Sequence, residues 1–133
     1  MRRFVLTATL LAGCATAPRS ASDTTEGISP STIRHTVLID LKDAADSRTL
    51  IEAMDARLAP IPGVDHYWRG TPFRSDRPEV LTNYDVALII DFRDARAYDA
   101  YSNDPRHVSL VREWKPRINS LTIYDTRPNA EPR

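Results

Sequence analysis

The chain has 133 residues, a length typical of one domain. Its 18 lysines and arginines balance its 18 aspartates and glutamates, so no basic excess supports nucleic-acid binding. The single cysteine excludes an internal disulfide and a thiolate zinc site. No apolar run approaches the ~20 residues that span a bilayer, so any membrane association requires an anchor.

The amino terminus has the features of a bacterial export signal. Two arginines follow the initiator methionine, and residues 4–13 are apolar or small throughout. These are the n-region and h-region of a secretory signal, too short for a permanent membrane span. The run ends in Leu-Ala-Gly-Cys at residues 11–14, which resembles the lipobox of bacterial lipoproteins.

The lipobox resemblance implies a signal peptide at residues 1–13, cleavage before Cys14 and lipidation of its sulfur. The acyl chains would give stable membrane anchoring. Ala15 stands where an aspartate favours inner-membrane retention, so the outer membrane is favoured over the inner one. The expected location is the cell envelope, with the protein facing the periplasm. The alternative is a signal for soluble secretion with an incidental cysteine.

Three segments are predicted after the signal. Residues 14–32 are rich in alanine, serine, threonine and proline without an apolar period, which is typical of a flexible tether. Residues 33–126 carry the periodic patterns of one folded domain. Residues 127–133 contain two prolines and are predicted to form a disordered tail.

The domain begins with a predicted strand and helix. Apolar side chains alternate with polar ones over residues 33–41, which indicates a strand with one buried face. Asp46 or Ser47 offers a helix N-cap, and from Leu50 the apolar residues follow helical spacing. The Pro-Ile-Pro-Gly sequence at residues 60–63 ends this helix.

Two strands separated by a long loop follow. Residues 64–70 alternate, and the pattern places Tyr67 on the sheet face away from the helices. Residues 71–83 contain two prolines and several charges and are predicted to be a loop. Residues 84–92 form the strongest strand, and its centre is apolar on both faces, as in an inner strand.

The remainder is predicted to be two helices and a strand. Asp94 caps a short helix, and Asp104 with Pro105 suits the N-cap and first position of the next helix. The apolar face of that helix is expected to run to Ile118. Residues 121–124 then alternate as a last strand.

This order of elements predicts an α+β, ferredoxin-like split βαβ fold with a four-stranded antiparallel sheet and helices on one face. The second face of the sheet is also partly apolar, so it requires a partner. A two-fold homodimer is the commonest solution. The apolar residues expected on that second face are Leu38, Tyr67, Ala87, Ile89 and Tyr124.

Four segments occur in order with plausible spacings, namely Ile33–Leu38, Ile61–Val64, Tyr84–Leu88 and Tyr101–His107. With them the domain resembles the stress-responsive A/B barrel (Dabb) family. The resemblance implies a ferredoxin-like fold that pairs into a dimeric α+β barrel. A plant cyclase branch of the family uses the pattern Tyr-x-x-His-Pro-x-His for an aldol cyclisation. In this pattern Tyr101 and His107 match the tyrosine and final histidine, His35 matches an early-strand histidine, and Asp104 replaces the histidine before proline.

These residues suggest a chemistry that needs no metal or organic cofactor. A neutral His107 would take a proton from a carbon beside a carbonyl, and Tyr101 would hydrogen-bond the enolate oxygen. His35 and Trp114 are predicted to contribute to ligand binding. The alternative is structural, with His107 and Tyr101 filling the core. The three histidines lie on separate elements, so no metal site is predicted.

The preferred functional hypothesis is a lipid-anchored homodimer that binds a small hydrophobic ligand. The alternative is a cofactor-independent enzyme, resembling a polyketide cyclase or a monooxygenase, that uses His107 and Tyr101. A third hypothesis is a structural envelope protein with a protein partner. Tethering outside the cytoplasm favours binding over polyketide chemistry, because thioester-linked polyketides are cytoplasmic.

Overall fold

The computed structural model describes Ser29 and residues 32–128. The predicted signal peptide, Cys14 and most of the tether therefore lie outside the described residues. Short 3-10 turns lead into the first helix and out of the last one. The strands and helices of the described part are β1 (Ile33–Leu41), α1 (Ser47–Arg57), β2 (Val64–Gly70), β3 (Val86–Phe92), α2 (Ala95–Ser102), α3 (Pro105–Trp114) and β4 (Ile118–Thr126).

The four strands form one antiparallel sheet in the order β2-β3-β1-β4. The two central strands, β1 and β3, have alternating or continuous burial, whereas β4 at the edge is exposed along most of its length. This is the ferredoxin-like arrangement, and the fold class predicted from the sequence is confirmed.

The core lies between the helices and one face of the sheet. It joins the inward side of β1 and β3 to apolar residues of all three helices. Full burial of one large apolar side chain contributes about 1.5–3 kcal/mol, so this layer supplies most of the driving force for folding. The largest fully buried side chains are Tyr101, Phe92, Met54, Ile90 and Val86.

A bulge in β2 reverses the predicted orientation of Tyr67. The register shifts between Val64 and His66, after which Tyr67 is opposite Ile90. Tyr67 therefore lies on the helix side, where its hydroxyl donates to Asp55 of α1 at 3.1 Å. The prediction that Tyr67 lies on the opposite face was wrong because an extra residue in a strand inverts the alternation beyond it.

The predicted caps of the two later helices are confirmed. The Asp94 carboxylate accepts from the backbone N–H of Ala97 at 2.8 Å, and Asp104 accepts from that of Arg106 at 2.8 Å. Pro105 occupies the first turn of α3, where a missing N–H costs nothing. These caps fix where α2 and α3 begin.

The structure differs from the sequence at two other helix ends. Asp46 occupies the predicted N-cap position of α1, but its side chain makes no capping bond, because its carboxylate pairs with Arg117 at 2.6 Å. Asp43 caps the preceding 3-10 turn. Ile118 begins β4 rather than continuing α3, because the helix gives way to a 3-10 turn that contains Pro116.

The sheet face away from the helices, here called the outer sheet face, is partly apolar. Trp68 takes the place predicted for Tyr67 and is 53% exposed, while Tyr124 is 57% exposed. Toward one end of this face, Arg34 of β1 makes a bidentate pair with Asp91 of β3, with both contacts at 2.8 Å. The apolar members of the outer sheet face are Leu38, Trp68, Ala87, Ile89 and Tyr124.

Candidate functional site

The end of α2 and the start of α3 bring two of the predicted site residues into contact. Tyr101 lies in the last turn of α2 and His107 in the first turn of α3. Their ring centroids are 4.6 Å apart with an interplanar angle of 42°. The tight connection between the two capped helices produces this contact.

The immediate surroundings of His107 define its tautomer and favour its neutral form. Its Nδ1 lies 3.0 Å from the carbonyl oxygen of Ser102, so Nδ1 carries the proton and donates it. Burial lowers the pKa of His107 below its ordinary value of 6.5, against the opposing effect of the bond to Ser102. At neutral pH the Nε2 atom therefore presents a lone pair.

Tyr101 complements His107 as a protonated phenol. Its side chain is 1% exposed, and burial raises the pKa of its hydroxyl well above the usual value. The phenol therefore stays protonated at neutral pH and remains a hydrogen-bond donor. A lone-pair acceptor and a neutral donor thus lie side by side at this point.

His35 belongs to a second polar group that the sequence analysis did not find. Its Nδ1 lies 2.6 Å from the Oδ1 atom of Asp125, the residue directly opposite it on β4. The Tyr98 hydroxyl donates to Oδ2 of the same carboxylate at 3.0 Å. The sequence signal is that Asp125 continues the alternation of Leu121 and Ile123 on the helix side of β4.

A cavity of about 260 Å³ lies between the sheet and the helices. All four residues predicted for catalysis or ligand binding line it, namely Tyr101, His107, His35 and Trp114. Most of the remaining wall is aliphatic and comes from α1, α3 and strands β1 and β4. A small apolar cavity with a few convergent polar groups is the usual form of a site for a small molecule.

Trp114 carries a buried hydrogen-bond donor that lacks a partner among the described residues. The residue is 2% exposed, and the donor is its indole Nε1–H. A buried donor without an acceptor costs about 1–3 kcal/mol. The Arg117 guanidinium lies 4.4 Å from the ring centroid, but it carries only donors and cannot accept this hydrogen.

Asp104, which replaces a histidine of the cyclase pattern, serves α3 and not the cavity. Besides capping the helix, its carboxylate binds the Arg106 guanidinium through two contacts of 2.8 and 2.9 Å. These bonds lower the pKa of Asp104 to about 2. The group is therefore a permanent carboxylate near neutral pH and supplies no proton to the site.

Two further properties concern the described residues as a whole. They include no cluster of three or more histidine, cysteine, aspartate or glutamate side chains that is placed to hold a metal ion. Within the same part of the chain, no helix has the length and apolar character needed to cross a bilayer.

His66, on β2, is exposed and does not line the cavity.

Comparison with known proteins assigns the domain. The family model described as the stress responsive A/B barrel domain (Dabb) matches residues 33–128. A search of curated proteins gives no match. Among solved structures, a Dabb protein with a ferredoxin-like fold from Mesorhizobium loti is 29% identical, with a TM-score of 0.63. That alignment covers 74% of this chain and 98% of the other.

Two more distant structures share the fold. A dimeric ferredoxin-like protein of unknown function from Thermobifida fusca is 23% identical with a TM-score of 0.60, over 73% of this chain and 91% of that one. A hydroxynitrile lyase from Passiflora edulis is 16% identical with a TM-score of 0.62, over 76% and 96%. At these identities the likeness is one of fold alone.

The lowered pKa of His107 predicts how stability depends on pH. The unfolded chain binds a proton on this residue at a higher pH than the folded chain does. The contribution of neutral His107 is therefore fully present above about pH 6.5 and is lost as the pH falls from 6.5 through the folded pKa. Urea unfolding between pH 7.5 and 5 measures how the free energy of unfolding depends on pH. The variant His107→Phe should show a weaker dependence.

NMR titration of the imidazoles gives an independent measurement of the same property. The chain has three histidines, and the signal missing from His107→Phe identifies His107. A midpoint above 6.5 for that signal would contradict the burial argument.

Proposed function

The chain belongs to the stress responsive A/B barrel domain (Dabb) family, and we propose that it is a lipid-anchored envelope protein whose domain forms a homodimer and binds a small hydrophobic molecule. The cavity beside His107 carries this proposal. It combines an aliphatic wall with a few polar groups, and its volume of about 260 Å³ suits a molecule with one ring or a short chain.

The polar groups of the cavity favour a neutral ligand. His107 is neutral at pH 7, and Tyr101 is a protonated phenol. The carboxylate of Asp125 contacts two side chains of the cavity wall and already accepts hydrogen bonds from both, His35 and Tyr98. An added charge would find no free partner here and would lose its hydration, which is costly in an apolar cavity.

Catalysis by the same cavity is the second candidate function. The observation that favours it is the 4.6 Å separation of the Tyr101 and His107 rings, together with the lone pair on Nε2 of His107. In this mechanism Nε2 removes a proton from the carbon beside a carbonyl, and the Tyr101 hydroxyl stabilises the enolate oxygen. The proton then returns to the substrate, so no metal or cofactor is needed.

The outer sheet face supports the dimer. Its apolar side chains include Trp68 and Tyr124, each more than half exposed in the single chain. A second copy that packs against this face would bury both residues by a two-fold arrangement. The related protein from Thermobifida fusca is described as dimeric.

The lipid anchor rests on the sequence of the first 14 residues. The Leu-Ala-Gly-Cys sequence at 11–14 follows an apolar run of export-signal length, and it contains the single cysteine of the chain. Acyl chains on Cys14 would hold the domain at a membrane of the cell envelope, on the periplasmic side. The Ala15 position favours the outer membrane.

Binding in the cavity is tested by thermal unfolding with a panel of small phenols and aromatic ketones. A compound present at ten times its Kd should raise the Tm of the wild type by roughly 5–10 °C. His107→Ala should lose most of this shift, whereas the matched control His66→Ala, an exposed histidine outside the cavity, should retain it. Stabilisation that is equal in all three proteins would contradict the site.

The same samples separate binding from catalysis. Acetophenone in D₂O reports exchange at its methyl group, and an active His107 would accelerate this exchange. Replacement by His107→Gln would then reduce the rate about 100-fold or more, with a smaller loss for Tyr101→Phe. Binding with exchange at the buffer rate would reject the catalytic candidate and leave binding as the function.

The dimer is tested by sedimentation of the chain with Cys14 replaced by serine. We expect twice the mass of one chain in the wild type. Leu38→Arg places a charge on the outer sheet face and should give the single chain. Val108→Arg is the control, because Val108 is 50% exposed on α3 and lies away from that face. A wild type that remains one chain at high concentration would refute the dimer.

The anchor is tested by mass spectrometry of the mature amino terminus. We expect an acylated Cys14 as the first residue, and we expect Cys14→Ala to abolish both the lipid and membrane fractionation. An unmodified amino terminus at any other residue would refute the lipoprotein assignment.

A further inference from the structure

The buried indole of Trp114 is a polar group of the cavity wall that the proposed binding function leaves unexplained. Trp114 is the last residue of α3, is 2% exposed and lines the cavity. Its Nε1–H has no acceptor among the described residues. Buried donors in native proteins are almost always satisfied, so a lone one next to a cavity indicates a partner from outside the chain.

No residue that the structure describes offers the indole N–H an acceptor. The Arg117 guanidinium at 4.4 Å covers the ring as a cation and has only donors. Leu110, one turn earlier on α3, and Leu50 from α1 also line the cavity and have aliphatic side chains. A phenylalanine would fill similar volume without leaving a polar atom unsatisfied. The indole therefore adds a requirement for an acceptor that packing alone does not explain.

Trp114 and His107 lie at opposite ends of α3, and both contribute to the wall of the cavity. The residues are seven apart on α3, which is about two helical turns and roughly 10 Å of axial rise. This spacing puts both on the same face of the helix, and both line the cavity. His107 offers an acceptor at Nε2, because its Nδ1–H is donated to Ser102.

We infer that Trp114 is a specificity-determining residue whose Nε1–H donates to a carbonyl-type or ether-type oxygen of the ligand. The ligand class is an elongated, mainly apolar molecule with this acceptor at one end and a hydrogen-bond donor for His107 at the other. Hydrocarbons, and molecules whose far end is itself a donor, are disfavoured. This inference rests on the proposed binding function and names the chemistry that the cavity selects.

Two probes of nearly equal size test the inference. 4-Hydroxyacetophenone and 4-ethylphenol share a phenol, and only the first carries a carbonyl oxygen at the far end. The reference protein is the full-length chain with Cys14 replaced by serine and no other change. We expect it to bind 4-hydroxyacetophenone about fivefold to tenfold more tightly than 4-ethylphenol. Trp114→Phe should bind both equally. Trp68→Phe, which alters the other tryptophan on the outer sheet face, should keep the preference.

The indole N–H signals in NMR spectra provide a readout that does not require a Trp114 variant to fold. The chain has two tryptophans, so the one indole signal that remains in Trp68→Phe belongs to Trp114. We expect 4-hydroxyacetophenone to move that signal downfield, and 4-ethylphenol to leave it nearly unchanged. Equal binding of both probes in a His107-dependent manner, without this shift, would overturn the role of Trp114 while the binding function stands. Binding of neither probe would overturn both.

Discussion

Aromatic packing between α2 and the centre of the sheet is the interaction on which the cavity depends. Phe92 on β3 is fully buried, and its ring lies 4.9 Å from Tyr101 and 5.5 Å from Tyr98. His35 on β1 is 5.6 Å from Tyr98, and His107 adds the start of α3 through its contact with Tyr101. Such pairs contribute about 0.5–1.5 kcal/mol each beyond the area they bury. The polar atoms of the site are therefore positioned by the core itself and not by a mobile loop.

The sequence predicted the features that depend on local signals. The Asp94 and Asp104 caps are short-range patterns, and they were enough to place Tyr101 and His107 at adjoining helix ends. Features that depend on pairing between distant strands were missed. The bulge in β2 inverted Tyr67, and the partnership of His35 with Asp125 depends on a register between residues 90 positions apart. No periodic pattern within one strand contains that information.

The first strand serves both surfaces of the sheet. His35 and Val37 line the cavity on the helix side, whereas Arg34 and Leu38 lie on the outer sheet face. Because the side chains alternate at every residue, a slip of β1 by one residue against its neighbours would exchange the two sets. The bidentate pair between Arg34 and Asp91 opposes such a slip, since it links opposed residues of the two central strands. The proposed ligand site and the predicted dimer face therefore depend on the same strand register.

The edge strand β4 gives the cavity a wall that is open to solvent. Leu121 and Ile123 line the cavity, yet each is 47% exposed. An occupant longer than the cavity can thus extend past this edge without displacing a helix. The length of the part outside the cavity would then not affect binding. Ligands that differ only in that part would compete for the same site. Such a site would select molecules by the polar groups that lie inside the cavity and tolerate variation in any part that extends past β4.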